Sequence, residues 1–199
     1  YIGDFSFVTP PVIIGMYPSH GKNSGGTLIR LEGNDLEHTK HCRFSSTSSS
    51  VQGITVNTES VTVSASVMKN SSIVCVSPSG FPSASVNIEV TCNGQDFLRT
   101  GHIFSFQKIP NIISVTPKLG PQNGNTRVII EVDMILDAII MCRFGSIPSV
   151  QAHLISFSKV SCVTPPSPEI GITSVFVTSN GLEYSNMSEA SKFEFYATP

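Results

Sequence analysis

The chain has 199 residues, 12 Lys and Arg against 14 Asp and Glu, a formal net charge of −2 and only 13% charged residues, about half the usual share. Without a basic cluster it offers no counterion-release footprint, which sets aside nucleic acid and anionic lipid as partners. No apolar run approaches the roughly 18 residues of a membrane span, so no direct membrane insertion by this chain is expected.

In chain order, short runs rich in Val, Ile, Thr and Phe recur at strand length. The first set lies at 12–17, 27–32, 40–45, 61–67, 72–76, 84–92 and 102–107. The series then restarts at 111–115, 126–132, 139–144, 150–156, 158–163, 173–179 and 192–197. Turn-formers such as Ser-Gly-Gly, Pro-Ser-Gly, Asn-Gly and Pro-Pro-Ser-Pro separate the runs and stop helices. In SVNIEVTC, Val86, Ile88 and Val90 share one face, and Val175 and Val177 do so in SVFVTS, the two-residue period of a half-buried strand. The expected class is all-β, with two tandem two-sheet sandwiches of about seven strands each.

The two sets are copies of one module. FSFVTPPVII opens the chain, FSFQKIPNII returns at 104–113 and FEFYATP at 193–199. GMYPSHGKNSGGT (15–27) matches SVTPKLGPQNGNT (114–126) at constant offset, placing Pro18 over Pro117, Gly21 over Gly120, Gly25 over Gly124 and Thr27 over Thr126. CRFSS answers CRFGS, IVCVSPS answers VSCVTPP, and VTCNG answers VTSNG. Residues 1–10 read as the end of a preceding repeat, 11–108 as the first full domain and 109–197 as the second, so the chain is expected to be an excerpt of a longer repeat array.

The ordered set P-x-x-G-x-x-x-G-x-T, C-R-F, V-x-C-x-x-P, V-x-V-T-x-N-G and F-x-F, seen twice over residues 11–196, resembles the IPT/TIG domain, an immunoglobulin-like module. The cysteine-bearing version is similar to the modules of plexins, the hepatocyte growth factor receptor family, fibrocystin-like proteins and protist adhesion receptors. It is less like the Rel-type transcription factors, whose related domain accompanies a DNA-contacting one. Asn125 and Val132 stand where the pattern prefers Gly, and copy one carries about a dozen extra Ser/Thr-rich residues between Phe44 and Val61. The resemblance implies an extracellular segment of a membrane-anchored, multi-repeat surface protein.

Cys42 and Cys75 correspond to Cys142 and Cys162, so one disulfide per copy is expected, each contributing about 3 kcal/mol by restricting the unfolded chain. Such bridges imply an oxidising compartment. Cys92 has Ser179 as its counterpart and is expected to stay unpaired within the chain. Two N-x-S sequons, at Asn70 and Asn186, fit the same compartment as N-glycosylation sites.

No arrangement in the sequence supports catalysis, a cofactor or a metal. HTKHC (38–42) has two histidines and a cysteine at zinc-like spacing but no second ligand pair, and Cys42 is claimed by its bridge. SHGKNSGGT lacks the G-K-[ST] order of a phosphate loop, and its counterpart has Pro121 in place of Lys22, so it reads as an interstrand turn.

The leading expectation is a non-enzymatic binding or adhesion segment that recognises another surface or secreted protein, homophilically or heterophilically, through sandwich loops or edge strands. A rigid spacer is the alternative, and a carbohydrate-binding accessory module of a secreted enzyme the weakest, since there is no Trp and only four Tyr for a sugar platform. The extra stretch STSSSVQGITVNTES (46–60) is where the copies differ most. Ser50, Val51, Gln52, Ile54 and Val56 within it are the candidate partner-binding residues, with Ile54 and Val56 forming an extra edge strand. The short FSFQKIPNII junction, with Pro110, predicts restricted hinge motion and an extended pair of domains.

Overall fold

The structure, a computed structural model, describes residues 8–46, 59–68, 71–80, 85–134 and 140–197. The chain divides into two compact units, Tyr1–Lys108 and Ile109–Pro199.

Unit one comprises β1 (Val12–Tyr17), β2 (His20–Lys22), β3 (Leu28–Asn34), β4 (His41–Ser46), β5 (Ser60–Met68), β6 (Ser72–Val76), β7 (Ser85–Thr91) and β8 (Leu98–Gln107). They hydrogen-bond in the order β1-β3-β6-β5-β4-β7-β8-β2. The long β5 belongs to both layers of the sandwich. Its first half, Ser60–Ser64, pairs with β4, and Ala65–Met68 crosses over to pair with β6. All pairings are antiparallel except that of β2 with the end of β8, which is parallel.

Unit two repeats the plan with β9 (Ile112–Thr116), β10 (Leu119–Pro121), β11 (Arg127–Val132), β12 (Met141–Phe144), β13 (Val150–Gln151), β14 (His153–Ser156), β15 (Lys159–Val163), β16 (Gly171–Thr178), a 3-10 turn at Glu189–Ser191 and β17 (Lys192–Tyr196). One sheet runs β10-β17-β16-β12-β13, the other β14-β15-β11-β9. The run expected as one strand at 150–156 is two, because the buried Ala152 marks the switch from β12 to β15 as neighbour. SHGKNSGGT was expected to be a turn throughout. Instead its first residues, and their counterparts Leu119–Pro121, form the short parallel strands β2 and β10. Three residues are too few to display a strand period, and their pairing is with the end of each unit, a contact no local pattern encodes.

The recurring words of the sequence meet in the cores. In C-R-F and F-x-F the outer residues point inward together, as strand alternation requires. Phe44 thus meets Phe104 edge to face at 6.2 Å between ring centroids, and Phe104 meets Phe106 at 5.2 Å. Unit two repeats the cluster with Phe144, Phe193 and Phe195. Each buried ring contributes about 2–3 kcal/mol through apolar burial. Beside the rings, Cys42 on β4 is bonded to Cys75 on β6, and Cys142 on β12 to Cys162 on β15, with Cα atoms 6.4 Å apart in both pairs. Each bond joins one layer to the other. Cys92 carries a free, partly exposed thiol.

The Gly-rich turns lock onto the strand that carries the second cysteine. Thr27 donates its backbone N–H to Ser77 Oγ at 2.9 Å, and Thr126 donates to Thr164 Oγ1 at 3.0 Å. Gly124 holds a φ of 78°, and a Cβ there would lie 2.6 Å from the Pro165 carbonyl carbon and 2.7 Å from Thr164 O. Asn125 tolerates its φ of 67° in the open, as Asn does. Gly124→Ala is therefore expected to destabilise unit two by about 2–4 kcal/mol in urea unfolding, whereas Asn125→Gly stays within about 1 kcal/mol. Equal, small effects would contradict the packing of this turn.

Candidate functional site

Because Cys and Phe of each C-R-F word face the core, its arginine faces out, from the middle of a sheet. In unit one Arg43 lies opposite Glu89 of β7. Its Nε donates to Glu89 Oε2 at 2.5 Å, and its guanidinium stacks 3.8 Å from the centre of the Phe97 ring. Arg99 approaches the other Glu89 oxygen at 3.6 Å, and the Glu89 side chain is only 7% exposed. Arg43 thus has its counter-charge within the unit.

Unit two keeps the arginine and loses the acid. Arg143 lies opposite Phe176, which occupies the place of Glu89, while Tyr184 occupies that of Phe97. The guanidinium sits 4.8 Å from the Phe176 ring and 4.1 Å from the Tyr184 ring, within range of favourable cation–π attraction. Tyr184 is fixed in turn by a 2.6 Å hydrogen bond with Ser149. Arg143 Nε is buried without a hydrogen-bond partner, and among the described residues no carboxylate pairs with it.

A groove of about 690 Å³ is lined by this arginine together with Gly145, Ser146, Ile172, Thr173, Ser174, Phe176, Met187 and Lys192. It exists because the last strand starts late. β8 runs alongside β7 as far as Glu89 and Val90, but β17 covers only Gly171–Ser174 of β16. Past that point the chain leaves as a loop carrying the exposed Met187 and the 3-10 turn. Lys192 is already engaged with Glu189 at 2.7 Å.

The opposite sheet of unit two offers a second feature. β14 lies at one edge of that sheet and, among the described residues, pairs on one side only, with β15. All four of its residues are exposed, among them Leu154 and Ile155, and Phe157 just beyond is 69% exposed.

Of the residues named from sequence, Ser50, Val51, Gln52, Ile54, Val56 and Asn70 lie outside the described residues. Asn186 is exposed in the loop beside Met187. Cys42 is committed to Cys75, which removes the thiolate from HTKHC, and among the described residues no three His, Cys, Asp or Glu side chains gather as metal ligands. The sequence reading overlooked Arg143 and β14. A signal for the first was present, since aligning SVNIEVTC with TSVFVTS sets Glu89 against Phe176 beneath an unchanged C-R-F.

Two sandwiches in tandem, each bridged across its layers by one cystine and closed by an F-x-F strand, define an immunoglobulin-like repeat chain. It belongs to the IPT/TIG domain family, whose model matches residues 11–105 and 110–195. Plexin-2 of Caenorhabditis briggsae is 26% identical over 195 residues, covering 96% of this chain and 10% of that protein, so the chain spans about a tenth of its relative's length. The fold recurs in the full extracellular region of plexin A4, with a TM-score of 0.56 at 22% identity, over 95% of this chain and 16% of that one. A second structure of that region gives 0.50 at 22% identity, over 94% and 18%.

The two arginines differ in what their loss should cost. Arg43→Met strips Glu89 of its closest cation and is expected to destabilise the protein by about 2–3 kcal/mol, because a buried carboxylate is left nearly alone. Arg143→Met orphans no acid and should cost under about 1 kcal/mol. Urea unfolding of both variants checks this, and a larger loss for Arg143→Met would make that arginine a structural residue.

Proposed function

We propose that the chain is a non-enzymatic, extracellular binding segment of a plexin-like cell-surface receptor, recognising a protein partner through the strand edges and loops of its sandwiches. The family, the plexin relative and one cystine per unit support the compartment, since such bridges persist where the surroundings oxidise. Asn186, exposed on a loop, is proposed to carry an N-linked glycan there.

The observation that carries the binding role is the edge of unit two. Exposed edge strands invite pairing with another chain and are commonly blunted by charge or proline. β14 instead presents Leu154 and Ile155, followed by Phe157. An extended segment of a partner added beside it would gain main-chain hydrogen bonds and apolar contacts. The competing contact is the Ser/Thr-rich stretch of unit one that contains Ser50, Val51, Gln52, Ile54 and Val56, which copy two lacks.

Binding of the secreted chain to cells of its own source, and to a second copy of itself by sedimentation, tests the reading. Leu154→Lys with Ile155→Lys is expected to weaken binding at least about tenfold while the fold is kept, and deletion of residues 47–59 to leave it largely intact. Loss on deletion alone would assign the contact to the insertion. Binding unchanged by both would contradict recognition through either element.

A further inference from the structure

We propose that the groove on the outer face of unit two is a carboxylate receptor, in which Arg143 takes a Glu or Asp side chain from an extended, apolar segment of a protein partner. This rests on the reading of the chain as a protein-binding segment and names the chemistry one surface would recognise.

The molecule contains its own template for the missing group. In unit one the same arginine, at the same place in the same sheet, is completed by a carboxylate on the neighbouring strand and a ring on the following loop. Unit two has two rings, from Phe176 and Tyr184, and no acid. Buried donors are nearly always partnered, yet Arg143 Nε has no partner. The Tyr184 hydrogen bond to Ser149 and the strand position of Phe176 place the two rings beside the guanidinium, and because Nε is buried a carboxylate reaches it only as a ring shifts to admit it. A guanidinium flanked by rings on a residue that lines a groove is suited to a planar anion, which it binds through directed N–H donors.

The rest of the groove selects what carries the carboxylate. Its lining sets Ile172, Phe176 and Met187 among the hydroxyls of Ser146, Thr173 and Ser174, and Lys192 is engaged by Glu189. One uncommitted cation suits a single carboxylate and not a sulfated polysaccharide, which is held by rows of cations. Ile172, Ser174 and Phe176 lie on one face of β16, and the four steps from Phe176 to Ile172 span about 13 Å. An extended partner has the same repeat, so an acid over Arg143 sets its fourth neighbour over Ile172.

The probe is a capped nonapeptide, Leu-Ser-Leu-Ser-Glu-Ser-Leu-Ser-Leu, symmetric about its acid so that either chain direction fits, with a central Gln version as control. It is titrated into the whole 15N-labelled chain while the Arg143 Nε–H and the backbone amides are followed. The Glu peptide is expected to shift Arg143 Nε–H and amides near Ile172 and Met187, and the Gln peptide to bind about tenfold more weakly, as loss of a charge-assisted hydrogen bond implies. Arg143→Met should remove the difference between the peptides. Phe176→Glu, which rebuilds the pair of unit one, should abolish binding with the spectrum otherwise folded. Equal affinity for both peptides, or binding that survives Phe176→Glu, would overturn the proposal. So would Arg143-dependent binding of a heparin octasaccharide in place of the peptide. If the chain binds its cell-surface partner but shows no acid preference in the groove, the carboxylate receptor fails and the receptor reading stands. If the groove binds acid-selectively but the chain has no cell-surface partner, the carboxylate receptor stands and the receptor reading fails.

Discussion

Everything in each unit hangs on a covalent bond across its middle. A domain of this size buries only about two-thirds of its chain's surface, and two sheets facing each other over so thin a core have little margin. Cys42 to Cys75 and Cys142 to Cys162 tie layer to layer, and the phenylalanines of C-R-F and F-x-F fill the space beside each bond. The outward residues of the same strands do not build that core and can differ between the units. That is why an arginine in the middle of a sheet can be closed off by an acid in one unit and left open in the other.

The two units act as an internal control. They share the cystine, the ring cluster and the turn that donates to Ser77 or Thr164, so these features follow from what a sandwich of this kind needs. Where they diverge, stability does not dictate the choice. Glu89 and Arg99 become Phe176 and a loop, and the continuous β5 becomes β13 and β14 with an apolar edge. Both divergences lie on outward-facing residues of unit two, one on each sheet.

Much of this architecture was legible in the residues. Val12–Tyr17 and Ser72–Val76 match their predicted runs to the residue, because short stretches rich in Val and Ile bounded by turn-formers mark strands. The cysteine pairs followed from repeat equivalence. β2 and β10 were not legible, since three residues carry no period and their partners lie at the far end of each unit. The Arg143 site was half visible. The substitution of Phe176 for Glu89 stands in the sequence, but its meaning depends on β12 and β16 lying side by side in a register that puts those residues opposite each other. The exposure of Leu154 and Ile155 was hidden for a related reason, since an apolar strand reads alike at an edge and in a core. Residues 46–60 drew attention as an insertion, a property of the sequence that carries no geometry.

The claim on which the account turns is that each unit is closed by its own bridge between layers and leaves Cys92 aside. Non-reducing peptide mapping of the chain, expressed into an oxidising compartment and with free thiols alkylated beforehand, tests it most directly. The expected result is two cross-linked species, Cys42 with Cys75 and Cys142 with Cys162, and alkylation at Cys92 alone. Recovery of Cys92 joined to any of the other four, or of a bridge between the two units, would contradict it.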